Sequence, residues 1–65
     1  MKVREVIRVL LENGWFLART KGSHRQFKHP SIPNVVTVPG KFSDDIPPGT
    51  LNNILKKAGL KQGEN

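Results

Sequence analysis

The chain carries, at residues 15–29, the stretch WFLARTKGSHRQFKH, in which two runs of alternating side chains flank a glycine turn. Alternation with a period of two residues is typical of β-strands, and the aromatic side chains in both runs favour strands. Lys21-Gly22-Ser23 separates the two runs and has the composition of a turn. We therefore predict two antiparallel strands, residues 15–20 and 24–29, that form a hairpin.

Alternation also divides the side chains of the hairpin between its two faces. In the first strand it separates Trp15, Leu17 and Arg19 from Phe16, Ala18 and Thr20. In the second strand it separates His24, Gln26 and Lys28 from Arg25, Phe27 and His29. If Phe27 points into the core, His24 points to solvent.

The segments on either side predict a first helix and a third strand. Residues 35–38 are rich in β-branched side chains and end at Pro39-Gly40, which indicates a short strand. Residues 2–13, which Gly14 follows, carry apolar side chains at helical spacing: Val3, Val6, Ile7, Leu10 and Leu11. That spacing predicts an amphipathic helix.

A second helix is predicted from Thr50 to Ala58. Thr50 is suited to the N-cap, and Gly59 suits the end of the helix. Residues 41–49 are predicted to be a loop because they contain Pro47-Pro48. The apolar face of the predicted helix consists of Leu51, Ile54, Leu55 and Ala58.

Together these elements predict an α+β fold in the order helix, three-stranded antiparallel sheet, helix. Packing both helices on one sheet face buries all three apolar surfaces and leaves the opposite face wet. Residues 1–60 are predicted to form a single domain, and residues 61–65 a frayed tail.

Composition excludes several classes of protein. The 65 residues leave room for one small domain, and the absence of cysteine excludes disulfides, a thiolate nucleophile and zinc sites built on sulfur. No apolar run is long enough for a membrane span or a signal peptide, so we expect a soluble, cytoplasmic protein. Glycine-rich phosphate loops, a serine nucleophile at motif spacing and paired carboxylates are missing, which argues against nucleotide hydrolases and glycosidases.

The charge is strongly one-sided. Lysine and arginine outnumber aspartate and glutamate by 11 to 5, a net charge of +6. Between Glu12 and Asp44 there is no acidic residue, and the basic ones are Arg19, Lys21, Arg25, Lys28 and Lys41. A polyanion is therefore the expected partner, whether nucleic acid, an anionic membrane surface or an acidic protein. The alternative is a solvated basic face with no dedicated ligand.

His24 is the main candidate for chemistry. It follows the Gly22-Ser23 turn and shares the predicted wet face with Lys28. An imidazole can take or give a proton during attack of a ribose 2′-hydroxyl on the adjacent phosphate, and Lys21, Arg25 and Lys28 could hold that phosphate. The alternative is that His24 is simply a polar residue on an exposed sheet face.

Metal sites have little support in the sequence. His29 lies on the Phe27 face before Pro30 and is better explained as a structural residue. His24 and His29 fall on opposite strand faces, which argues against a zinc site made from them. The loop pair Asp44-Asp45 could bind a divalent metal, but solubilising charge explains it better.

An ordered set of motifs along nearly the whole chain resembles the HicA family of toxins from bacterial and archaeal toxin–antitoxin systems. The motifs are Gly14-Trp15, Arg19, Gly22-Ser23-His24, Phe27-Lys28-His29-Pro30, Val36-Thr37-Val38-Pro39, Gly49-Thr50-Leu51 and Ile54-Leu55-Lys56-Lys57-Ala58-Gly59-Leu60. The resemblance implies a fold like the double-stranded-RNA-binding domain. It also implies a metal-independent ribonuclease without a cofactor that cleaves mRNA, arrests growth and is neutralised by a HicB antitoxin.

The resemblance assigns the catalytic role to the histidine of the Gly-Ser-His segment, here His24. We take Lys21, Ser23, Arg25, Lys28 and Lys41 as the candidate RNA-binding residues. Members of the family often have a second histidine shortly after the Val-Pro that ends the third strand, whereas this chain has Gly40-Lys41-Phe42. If that imidazole is the partner acid in relatives, this chain uses Lys28, Lys41, water or nothing in its place.

Two other functions fit the same residues. A non-catalytic double-stranded-RNA-binding module needs the fold and the charge but no imidazole. A protein-interaction domain with an acidic partner needs only the charge.

Overall fold

The computed structural model describes residues 1–60, and the order of its elements confirms the predicted α+β fold. The predicted frayed tail, residues 61–65, lies outside the described residues. The elements are α1 (Val3–Glu12), β1 (Phe16–Lys21), β2 (His24–Lys28), β3 (Val36–Val38) and α2 (Pro48–Lys57). No helix within residues 1–60 is long and apolar enough to cross a membrane.

The sheet is an antiparallel meander in the order β1-β2-β3. One hydrophobic core joins it to both helices, so both helices lie on the same sheet face. Three buried members lie just outside the elements: Trp15 follows α1, Ile46 precedes α2 and Ala58 is the C-cap of α2. The other buried members come from α1, the sheet and α2: Val3, Val6, Leu10, Phe27, Val36, Val38 and Ile54. No polar or charged residue within residues 1–60 is buried.

Both helices end in the same hydrogen-bonded motif. At the end of α1, the Trp15 N–H donates to Leu10 O at 3.0 Å and the Gly14 N–H donates to Leu11 O at 3.3 Å. At the end of α2, the Leu60 N–H donates to Leu55 O and the Gly59 N–H donates to Lys56 O. These are Schellman motifs, and each places a glycine at positive φ, +91° at Gly14 and +73° at Gly59. The glycine stops predicted for both helices are therefore confirmed.

The start predicted for α2 is wrong. The helix begins at Pro48, two residues before Thr50, with Pro47 as N-cap, and no side chain of residues 1–60 caps its first turn. Proline is tolerated in the first turn because the amide hydrogen that it lacks would have no partner inside the helix. Pro48 therefore begins the helix rather than excluding it.

The face assignment predicted for the first strand is also wrong. Leu17 pairs with Phe27, but Arg19 pairs with Gln26, so Ala18 is an extra residue in β1 that has no partner in β2. This β-bulge interrupts the alternation, because directly paired residues share a sheet face. Leu17 stays on the helix side with Phe27, whereas Arg19 turns to the wet face.

Candidate functional site

The wet face of the sheet carries the candidate site. His24 is the first residue of β2 and pairs with Lys21, the last residue of β1, across the two-residue turn Gly22-Ser23. Gly22 has a φ of +62° at the first turn position, which fits a type II′ hairpin. The predicted exposed position of His24 is confirmed, and no side-chain hydrogen bond within residues 1–60 involves it. Its imidazole is therefore free to meet a ligand.

The bulge in β1 adds a basic residue to this face. Because Arg19 pairs with Gln26 and Lys21 with His24, the face that holds the histidine also holds both cations. Strict alternation had grouped Arg19 with Trp15, which is buried. The grouping of a cation with Trp15 and Leu17 on one face was the only signal of the bulge in the sequence.

Lys28 lies on the same face but at the other end of β2. Lys28 is four positions along the strand from His24, a distance of roughly 13 Å between the backbone positions. Lys28 is therefore placed to meet a phosphate further along the strand than one next to His24.

Arg25 lies on the opposite face, where it pairs with Val38. Its Nη1 donates to Gly40 O at 2.7 Å and approaches Ser23 O at 3.4 Å. The guanidinium carbon lies 4.4 Å from the centre of the Phe42 ring. Arg25 therefore joins the hairpin turn to the loop after β3, which the sequence did not reveal.

Ser23 and Lys41 lie at the same end of the sheet as His24. Ser23 is in the turn before β2, and Lys41 is in the loop that leaves β3 beyond Val38. Both side chains are exposed. The structure thus groups Lys21, Ser23, His24 and Lys41 at one sheet end, with Lys28 apart from them.

Hydrogen bonds and an aromatic contact hold the His29 side chain within the fold. The Ser31 N–H donates to its Nδ1 at 3.0 Å, which assigns the hydrogen to Nε2, and Nε2 donates to Asn13 O at 3.1 Å. The ring packs edge-on against Trp15, with centroids 5.2 Å apart. These contacts connect the end of β2 to the end of α1.

The acidic pair of the loop is engaged with its neighbours. Asp44 Oδ2 accepts a hydrogen bond from the Lys41 N–H at 3.0 Å, and Asp45 Oδ1 lies 3.5 Å from Lys2 Nζ. Across residues 1–60, no three histidine, aspartate or glutamate residues come together as a metal site.

A groove between β3 and α2 is separate from these residues. It is lined by Val36, Thr37, Thr50, Asn53, Ile54 and Lys57. None of the candidate catalytic or RNA-binding residues lines it.

Comparison with known proteins identifies the family. A family model described as the HicA toxin of bacterial toxin–antitoxin systems matches residues 3–60. A search of curated proteins finds no match. The matched segment spans both helices and the whole sheet, including the face that carries His24. The chain therefore belongs to the HicA toxin family of bacterial toxin–antitoxin systems.

Proposed function

We propose that this toxin is an endoribonuclease that cleaves mRNA in the cytoplasm, with His24 as its catalytic residue. The observation that carries the proposal is the placement of an exposed imidazole on an open sheet face beside Lys21 and Arg19. Cations at this position attract the phosphate backbone, and the histidine supplies a group that can move a proton.

The reaction that fits these groups is transesterification at a phosphodiester. His24 takes the proton of a ribose 2′-hydroxyl, and the 2′-oxygen forms a bond to the adjacent phosphorus as the bond from phosphorus to the 5′-oxygen breaks. The 5′-oxygen leaves with a proton from the protonated imidazole or from water. Negative charge that develops on the phosphate oxygens is stabilised by Lys21, with Lys41 at the same sheet end.

The remaining candidate residues would hold the RNA. Lys28 would contact a phosphate further along β2, and Ser23 would donate its hydroxyl at the turn. Arg25 already donates to Gly40 O, so any RNA contact by Arg25 would use its other nitrogens. These roles need no metal or cofactor, in keeping with the metal-independent chemistry that the resemblance to the HicA family implies.

We further propose that a HicB-like antitoxin restrains the enzyme by covering the wet face. The net charge of +6 calls for an acidic contact surface on that partner.

The test is cleavage of RNA in EDTA by the purified protein and by His24→Ala. Loss of the catalytic imidazole is expected to slow cleavage about 10²- to 10⁴-fold. The fold should survive, because His24 is exposed and is not one of the buried core residues. Asn52→Ala, an exposed change on α2, is the control and should cleave at the parent rate.

Circular dichroism checks that both variants remain folded. A folded His24→Ala protein with the parent cleavage rate would remove His24 from the mechanism. RNA binding without cleavage by the parent protein would instead favour a non-catalytic RNA-binding module.

A further inference from the structure

Phe42 is the most exposed large hydrophobic residue within residues 1–60, with 55% of its surface accessible. Single exposed apolar side chains are common on protein surfaces and by themselves indicate nothing. What distinguishes Phe42 is the way its loop, residues 39–47 between β3 and α2, is held.

Hydrogen bonds fix the loop on both sides of the ring. The Phe42 carbonyl accepts from the Arg4 N–H at 3.2 Å, in the first turn of α1. Further bonds hold its neighbours: Arg25 Nη1 to Gly40 O at 2.7 Å, the Lys41 N–H to Asp44 Oδ2 at 3.0 Å, the Asp44 N–H to Lys41 O at 3.0 Å and the Val3 N–H to Asp44 O at 2.9 Å. The aromatic ring is therefore presented from a backbone that hydrogen bonds hold on both sides.

One face of the ring is already occupied. The Arg25 guanidinium carbon lies 4.4 Å from the ring centre, within the range of a cation–π contact. Because more than half of the side chain remains accessible, the opposite face of the ring is open to solvent.

The loop lies at the end of the sheet where β2 begins at His24, but on the helix side of the sheet. Arg25 pairs with Val38, so the chain leaves β3 beside the point where β2 begins at His24. The Arg25 guanidinium reaches both Ser23 O in the hairpin turn and Gly40 O in the loop, which brings these two segments together.

We propose that the open face of Phe42 stacks a nucleobase of a single-stranded RNA that passes around this end of the sheet, from the phosphate attacked at His24 on the wet face to the helix side. Proteins recognise unpaired bases by stacking them on aromatic rings and guanidinium planes, with the backbone held by cations. Bases in a duplex have no free faces to offer, so this site selects single-stranded RNA. The inference rests on the proposed ribonuclease function and adds the strandedness of the substrate.

The first test measures binding of a short single-stranded RNA in the His24→Ala background, which prevents cleavage. Phe42→Leu removes the ring on which one base would stack, and its affinity for the RNA is expected to be about 5- to 150-fold weaker. Phe42→Tyr, which keeps the aromatic face, should bind like the parent. Leu11→Ala changes a residue of similar exposure, 53%, on α1 and should also leave binding unchanged.

The second test detects stacking directly. Phe42→Trp in the same background places an indole at the site, and single-stranded RNA should quench its fluorescence, whereas duplex RNA should not. Trp15 has only 2% of its surface accessible and supplies a constant background, measured with the parent protein. Leu11→Trp is the matched control and should not be quenched.

The outcomes separate the two proposals. Unchanged binding by Phe42→Leu together with an unquenched Phe42→Trp overturns the stacking site while leaving cleavage at His24 intact. Weaker binding by Phe42→Leu without quenching of Phe42→Trp also overturns it, because the loss then reflects loop structure. If the parent protein neither binds nor cleaves RNA, the ribonuclease proposal fails as well.

Discussion

At the scale of single residues, Gly14 meets two separate requirements. Its φ of +91° is one that side chains with a Cβ rarely adopt, and a Cβ added there would lie 2.8 Å from His29 Nε2. Gly59 has a similar φ of +73°, but no atom of residues 1–60 outside its immediate neighbours lies within 4 Å of an added Cβ. The two glycines thus separate backbone strain from steric conflict.

We predict that Gly14→Ala lowers the free energy of unfolding more than Gly59→Ala does. Backbone strain at either position costs about 1–2 kcal/mol. Only Gly14→Ala must also displace the His29 ring from Asn13 O and Trp15. Urea denaturation of both variants checks the order, and equal losses would show that the His29 contacts contribute nothing.

A second prediction concerns Lys21, which pairs with His24 across the turn. Lys21→Ala should weaken RNA binding and reduce the slope of log affinity against log salt by about 0.7 to 1, because one phosphate contact and its released counterion are lost. Lys56→Ala removes an exposed charge from the last turn of α2 and is the matched control. Equal slopes for the two variants would contradict a specific phosphate contact at Lys21.

At the scale of secondary structure elements, the bulge at Ala18 decides which side chains accompany His24. Leu17 and Arg19 pair with neighbouring residues of β2 and therefore point to opposite faces, with Ala18 unpaired between them. Removing Ala18 would leave a regular strand in which Arg19 still faces the wet side.

We therefore predict that a protein lacking Ala18 folds and keeps its RNA affinity within about a factor of three, since no side chain changes face. The melting temperature and RNA binding are the two measurements. A folded deletion variant with much weaker binding would show that the local twist of the bulge, rather than the facing of Arg19, is what the site needs.

Whether the sequence predicts a feature of these elements depends on how far apart in the chain the interacting residues lie. The two glycine stops and the exposure of His24 were predictable, because they follow from local backbone preferences and strand alternation. The bulge at Ala18 breaks that alternation, and Pro48 occupies the first turn of a helix rather than preceding it. The contact of Arg25 with the 40–42 loop joins residues 15 or more positions apart, which no local pattern encodes.

At the scale of the whole molecule, the two faces of the sheet have different roles. The helix side contains the core, and the wet side contains the candidate site with no other element of residues 1–60 covering it. A molecule that covers the wet face would therefore block access to the candidate site.

We predict that co-expression with the product of a neighbouring HicB-like gene yields a stable complex in which RNA cleavage is blocked. The antitoxin should present acidic residues to the wet face, and charge reversal at Lys21 together with Lys28 should speed dissociation of the complex. Titration of the antitoxin against RNA cleavage measures inhibition. A stable complex that leaves His24 accessible and cleavage undiminished would contradict occlusion.

The exposed position of His24, outside the core and without a side-chain hydrogen bond in the described residues, also has a consequence for inheritance. A point mutation there would silence the proposed chemistry without unfolding the chain. The resulting allele would still encode a folded decoy that captures antitoxin. A cell carrying both alleles would then hold less free antitoxin. More of the active toxin would remain unbound, so the inactive copy would increase the toxicity of the active one.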